Sequence, residues 1–151
     1  MKMERIFEAS EKEYEEAMQW LSECLKKLGC PQESQYKLTV AFDEMFMNVA
    51  SYAYPKPEEA PHRTIQSYGE ASHEKPLLVS VKGHGGQILL TLEDRGRPFD
   101  PFDREEPDVH APLEERQIGG LGIFMTKRLM DMVSYEYRDG KNIVCLAIGK
   151  E

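Results

Sequence analysis

The stretch from Glu93 to Met125 gathers the residue types that can hold a phosphorylated ligand. It opens with EDRGRPFDP, runs through a polar, proline-bearing loop and closes with IGGLGIFM. A carboxylate and a glycine turn, then a long loop, then glycines opening a helix, is the layout of a nucleotide pocket with a flexible cover. Glycines at a helix start present bare N–H groups that can hold an anion. Asp94 shares a face with Ile88, Leu90 and Leu92 by period-2 alternation. A carboxylate on an apolar face is costly unless something hydrogen-bonds to it. The competing reading is a strand that frays one residue early and leaves Asp94 wet in a turn. A second polar pair, Glu44 and Asn48, lies four residues apart, one side chain above the other on a helix flank.

Several elements must position these groups. Met3 to Ala9 alternates loosely and reads as a short edge strand. Ser10 and Glu13 match a capping box, and Tyr14, Ala17, Met18, Leu21, Leu25 and Leu28 follow at helical spacing until Gly29 and Pro31 stop the helix. A second helix is expected from about Gln32 to Tyr52, with Leu38, Phe42, Met45, Val49 and Tyr52 as its apolar stripe. Residues 55 to 75 read as a connector with a short strand at Arg63 to Ser67. PLLVSVK and QILLTLED are two strands joined at Gly83-His84-Gly85-Gly86, a hairpin signal rather than a dinucleotide fingerprint, because strand follows it. Phe99 to Ile118 is a loop of about twenty residues, long enough in a compact domain to imply function or disorder. Gly119 to Met132 reads as a third helix with Leu121, Met125, Leu129 and Met132 inward. Val133 to Tyr137 and Asn142 to Ile148 form a last hairpin around Arg138-Asp139-Gly140-Lys141. Met45, Met47, Met125, Met130 and Met132 are expected to fill gaps in the core.

Length and charge narrow the classes. With 151 residues and 40% apolar side chains the chain is expected to form one domain, residues 1–151, around one core. A net charge of -8 disfavours nucleic acid or an anionic membrane as partner and suits a basic protein. Cys24, Cys30 and Cys145 show no metal or disulfide spacing, and no apolar run reaches the roughly 20 residues that span a bilayer. A cytoplasmic protein with reduced thiols is the expectation. His62, His73, His84 and His110 show no ligand-like pairing.

AFDEMFMNVASYAYP, EDRGRPFDP and IGGLGIFMTKRLMD occur in that order. Together they resemble the N box, first glycine box and second glycine box of the GHKL (Bergerat-fold) ATPases. Within that superfamily they are most similar to the anti-sigma-factor serine/threonine-protein kinases of bacterial partner-switching systems. The resemblance covers roughly residues 34 to 148. Histidine kinases of the superfamily would need a dimerising helical hairpin with a phosphoacceptor histidine ahead of the second helix, and no such hairpin is expected here.

The resemblance implies a role for each matching position. Glu44 corresponds to the general base that takes a proton from the hydroxyl attacking the γ-phosphate, with a solvated helix carboxylate as the bland alternative. Asn48 corresponds to the Mg²⁺ ligand, through its amide oxygen, or else is a helix-interior hydrogen-bonder. Asp94 corresponds to the acceptor of the adenine exocyclic amine, and Gly96 to the glycine that lets backbone approach the base. Gly119, Gly120 and Gly122 fall in the second glycine box, whose N–H groups cradle phosphate oxygens. Arg116 is the expected γ-phosphate contact in the lid, with Arg104 as the competing register. Phe102 and Leu121 are candidates for lining the pocket or for plain packing. Two departures stand out: Pro98 replaces a second glycine, and Asn142 stands where the family usually has a threonine, so that it would take over the pocket hydroxyl's role.

The expected fold is a two-layer α/β sandwich, a mixed or antiparallel sheet of four or five strands with three helices on one face and an ATP lid. The expected function is a Mg-ATP-dependent serine/threonine-protein kinase. It would phosphorylate an anti-anti-sigma (STAS) protein and otherwise bind a sigma factor, with a homodimer usual in the resembling family. The alternative is a nucleotide-gated binding regulator of the same fold with little or no kinase activity.

Overall fold

The computed structural model describes residues 1–54, 74–103 and 120–150. The strand expected at Arg63 to Ser67 and the lid positions Arg104, Arg116 and Gly119 lie outside the described residues, as does the side chain of Leu121.

Strand β1 (Lys2–Glu8) leads into helix α1 (Glu11–Lys27) and helix α2 (Gln32–Asn48), which continues as a π-helical turn over Val49–Ala53. Strands β2 (Pro76–His84) and β3 (Gln87–Asp94) follow, then helix α3 (Gly120–Leu129) and strands β4 (Met132–Arg138) and β5 (Lys141–Gly149). The strands form one antiparallel sheet in the order β1-β2-β3-β5-β4. Both hairpins close in two residues with positive φ, Gly85 and Gly86 at 57° and 81°, Asp139 and Gly140 at 54° and 78°. That geometry is the type I′ turn, whose twist suits the strands it joins. The first strand therefore runs through Gly83 and His84, further than the four-residue turn expected from sequence.

Register decides what faces the helices. Leu77, Asp94 and Asn142 form one row across β2, β3 and β5. Val79, Leu92 and Val144 form the next, and Val81, Leu90 and Leu146 the one after. The apolar members of these rows join Ala17, Leu21 and Leu25 of α1 and Leu38, Phe42 and Phe46 of α2 in a single core cluster. Each fully buried Leu or Phe there contributes about 1.5–3 kcal/mol. On the opposite face Glu4, Ser80, Thr91, Cys145 and Ser134 form a half-buried to exposed row. The fold is thus a two-layer α/β sandwich with a purely antiparallel five-stranded sheet. Among the described residues no helix is long and apolar enough to cross a membrane.

Three local expectations are corrected. Ser10 caps α1 by position, but its hydroxyl is buried without a partner among the described residues, and Glu13 instead accepts the Glu8 N–H at 3.1 Å. The helix does end as expected, in a Schellman motif: Gly29 takes φ 69° and the Cys30 N–H reaches the Leu25 carbonyl at 3.0 Å. The second helix does not stay α-helical to Tyr52. The π turn's wider i→i+5 spacing shifts the phase, so Tyr52 is 42% exposed while Ala53 and Tyr54 turn inward. In α3 the inward positions are Ile123 and Thr126, followed by Met130 just past its end, whereas Met125 is 44% exposed. Thr126 is accepted in the core because its hydroxyl bonds the Gly122 carbonyl at 2.8 Å. Met132, 52% exposed, opens edge strand β4 instead of closing the helix. Met45 and Met130 fill the core as expected, and Met47 packs against it half-buried.

Candidate functional site

Helix α2 delivers Glu44 and Asn48 on successive turns. An ideal Cβ built on Gly122 would fall 2.0 Å from the Glu44 Oε2, so the carboxylate lies directly on the first turn of α3. The positive end of that helix favours a negative group there, and only glycine leaves room for it. One turn on, Asn48 is 9% exposed, and its Nδ2 has no hydrogen-bond partner among the described residues. Leaving a buried amide N–H unpaired costs about 1–3 kcal/mol. It lies on the wall of a partly open pocket, where a ligand could supply the missing partner. Amide oxygen and nitrogen exchange by a side-chain flip, so the same residue can present a carbonyl oxygen to a hard cation.

The pocket runs between α2 and the sheet. Met45, Val49, Ala53, Leu92, Phe99 and Val144 give it apolar walls, and Asn48, Asp94 and Asn142 supply its polar groups. Asp94 is 5% exposed, in the last row of β3, so it is an inward strand residue and not a frayed turn. Burial pushes its pKa above the usual carboxylate value, opposed by hydrogen bonds from Asn142 and from the Gly96 N–H. Both of those bonds land on Oδ1, at 2.9 Å each.

Asn142, directly across the strand pair from Asp94, is fully engaged. Its Nδ2 donates to Asp94 Oδ1 and, at 2.8 Å, to the Arg97 carbonyl. Its Oδ1 accepts the Phe99 N–H at 3.0 Å and the Tyr135 hydroxyl at 2.5 Å. The expectation that Asn142 takes over a pocket hydroxyl's role is thereby reshaped: it clamps the 94–99 turn to β5.

The π turn locks the other side of the same turn. A Cβ on Gly96 would lie 2.1 Å from the Ala53 carbonyl oxygen, and the Arg97 N–H bonds that oxygen at 2.8 Å. The glycine at 96 is therefore required by close approach of protein backbone. Arg97 Nε donates to the Tyr52 carbonyl at 2.9 Å and Lys75 Nζ to the Ala50 carbonyl at 3.0 Å, which satisfies acceptors that a helix end leaves open. Tyr54, its pKa raised mainly by burial, donates to the Pro76 carbonyl at 2.5 Å and accepts the Arg95 N–H at 2.8 Å.

The structure brings Asn48, Asp94 and Asn142 to one pocket and seats Glu44 on Gly122. Gly120 and Leu121 open α3. Phe102 packs half-buried against the core, while Phe99 and Pro101 line the wall. Arg116 and Gly119 lie outside the described residues. Sequence reasoning missed Tyr135 and the π turn. Tyr135 had a signal, because a two-residue turn at Asp139-Gly140 pairs it with Val144, the inward neighbour of Asn142. Among the described residues no cluster of three His, Cys, Asp or Glu side chains is arranged to hold a metal. A Mg²⁺ ion here would rest on Asn48 and on a ligand's own oxygens, the mode usual for Mg²⁺ bound with phosphates.

Comparison with known proteins agrees with this geometry. Residues 7–148 match the histidine kinase-like ATPase domain. Serine/threonine-protein kinase BtrW of Bordetella bronchiseptica is 25% identical over 87% of this chain and 82% of its own length. Serine-protein kinase RsbW of Listeria monocytogenes is 31% identical over 82% of this chain and 72% of its own. A solved structure of the RsbU and RsbW domains of Rv1364c from Mycobacterium tuberculosis superposes with a TM-score of 0.63 at 13% identity. It covers 99% of this chain, which spans 32% of that longer one. With the sheet order, the pocket and a match over nearly its whole length, the chain belongs to the histidine kinase-like ATPase domain family.

Proposed function

We propose that this chain is a Mg-ATP-dependent serine/threonine-protein kinase that acts as an anti-sigma factor, with an anti-anti-sigma (STAS) protein as its phosphoacceptor and a sigma factor as its alternative partner. The observation that carries this reading is the seating of the Glu44 carboxylate on Gly122, one turn from an Asn48 Nδ2 that has no partner among the described residues, on the wall of a mostly apolar pocket. The names of the relatives, all protein kinases, support the reaction class.

In this reading Asp94 accepts a hydrogen bond from the exocyclic amine of adenine, and Leu92, Val144 and Met45 sandwich the base. The N–H groups that open α3, at Gly120 and Gly122, hold phosphate oxygens; the family resemblance adds Gly119 and Arg116 as further phosphate contacts and Leu121 as a pocket residue. Phe102, half-buried against the core, is a further candidate for lining the pocket. Asn48 would hold Mg²⁺ through its amide oxygen, and the ion would there neutralise charge on the phosphate oxygens. Glu44 orients the acceptor hydroxyl and takes its proton; like other phosphoryl transfers, the reaction depends on positioning and electrostatics more than on covalent chemistry. Placed at a helix start, that carboxylate is held near where the phosphate must arrive.

The test is transfer of label from γ-labelled ATP to a purified STAS partner. Glu44→Gln is expected to lower the rate by about 10²–10⁴-fold while ATP binding persists. Undiminished transfer in that variant removes Glu44 as the base. Nucleotide-dependent partner binding with no labelled product in the wild type replaces the kinase with a nucleotide-gated binding module.

A further inference from the structure

Asn142 is held in one orientation by groups that cannot swap roles. The Phe99 N–H can only donate and the Arg97 carbonyl can only accept. They lie 3.0 Å from Oδ1 and 2.8 Å from Nδ2 of the same amide. Reversing the amide would set donor against donor at Phe99 and acceptor against acceptor at Arg97 and Asp94. Tyr135 reinforces the assignment: its hydroxyl donates to Asn142 Oδ1 at 2.5 Å and accepts the Phe99 N–H at 3.2 Å. The amide thus always presents Nδ2 to Asp94 Oδ1, at 2.9 Å. The Gly96 N–H occupies the same oxygen at 2.9 Å. Two donors fix Oδ1, while Oδ2 receives no hydrogen bond among the described residues. The carboxylate cannot rotate without breaking both bonds, so the oxygen left for a ligand is set from the edge strand inward.

We propose that Tyr135 and Asn142 are positioning residues for base recognition: the chain Tyr135–Asn142–Asp94 aims Oδ2 of Asp94 at the exocyclic amine of a 6-aminopurine and so sets selectivity for that base. This rests on the reading of the pocket as an ATP site. Tyr135 stands on β4, whose partner β5 carries Asn142, so selectivity is supported by a strand that contributes nothing to the pocket wall.

The test compares binding of ATP with binding of purine riboside 5′-triphosphate, which lacks the amine, by calorimetry on the full chain with Mg²⁺. Wild type is expected to prefer ATP by at least about tenfold, because the analogue leaves a buried carboxylate oxygen unpaired. Tyr135→Phe keeps the ring and removes only the hydroxyl. It is expected to reduce the preference by about fivefold, through weaker ATP binding, with the affinity for the analogue unchanged within about twofold. Asn142→Ala, checked for a cooperative unfolding transition, is expected to bring the preference close to one. An unchanged preference in Tyr135→Phe, or equal loss for both nucleotides, overturns the positioning chain while leaving the ATP site intact. Absence of binding by either nucleotide to wild type overturns the ATP reading and the positioning chain with it.

Discussion

Asp94 shows how a functional carboxylate is stored in a core. Its ionised form is disfavoured by burial and kept by two hydrogen bonds to one oxygen. A carboxyl whose pKa is raised on folding binds more protons folded than unfolded, so its contribution to stability falls as pH rises above the unfolded value and levels off past the folded one. Asp94→Asn keeps an oxygen for Asn142 and Gly96 and removes the buried charge. The variant is therefore expected to melt higher than wild type at pH 7, with the gap closing as pH falls towards the ordinary aspartate value of 3.8, and to lose ATP binding. Thermal melts across that pH range check the first part and calorimetry the second. A lower melting temperature at pH 7 would contradict it. At this scale the inward position of Asp94 was legible from alternation along Ile88, Leu90 and Leu92. The clamp made by Asn142 was not, because it depends on how the 94–99 turn folds back over β5, a path that neither periodicity nor turn chemistry encodes.

Among the elements, the π turn after α2 organises the site most directly. It turns Ala53 and Tyr54 inward and puts the Ala53 carbonyl against Gly96, joining the end of the helix that carries Glu44 and Asn48 to the turn that follows Asp94. A methyl at position 96 has no flexible side chain to push aside, only backbone at 2.1 Å. Gly96→Ala is accordingly expected to lower stability by about 1–3 kcal/mol, read as a lower urea midpoint at unchanged slope. A stability equal to wild type would show that the turn relaxes freely. Most elements were legible, since strands such as PLLVSVK and QILLTLED and the Gly29 helix stop carry strong local signals. The π turn was not, because Tyr52 fits the α-helical phase of Leu38, Phe42 and Met45, and one inserted residue leaves no compositional trace. The inward face of α3 was misread for a related reason: Thr126 is buried by bonding its own helix, so polarity hid a core position that Ile123 and Met130 flank.

Over the whole molecule, residues 7–148 match one domain family, and the described helices and strands share one core. A net charge of -8 favours basic surfaces on protein partners. The helices and the sheet meet at the core, and the pocket opens where that core runs out, between the end of α2 and the last row of β3 and β5. A ligand held there contacts both layers and binds only the folded state, so it must raise stability by mass action. The most direct measurement is the melting temperature of the chain in Mg²⁺ alone and in Mg²⁺ with ATP at about 100 times its dissociation constant. The expected gain is about 2.7 kcal/mol, or roughly 5–10 °C for a domain of this size, absent in Asp94→Asn. Identical melting with and without ATP would contradict it.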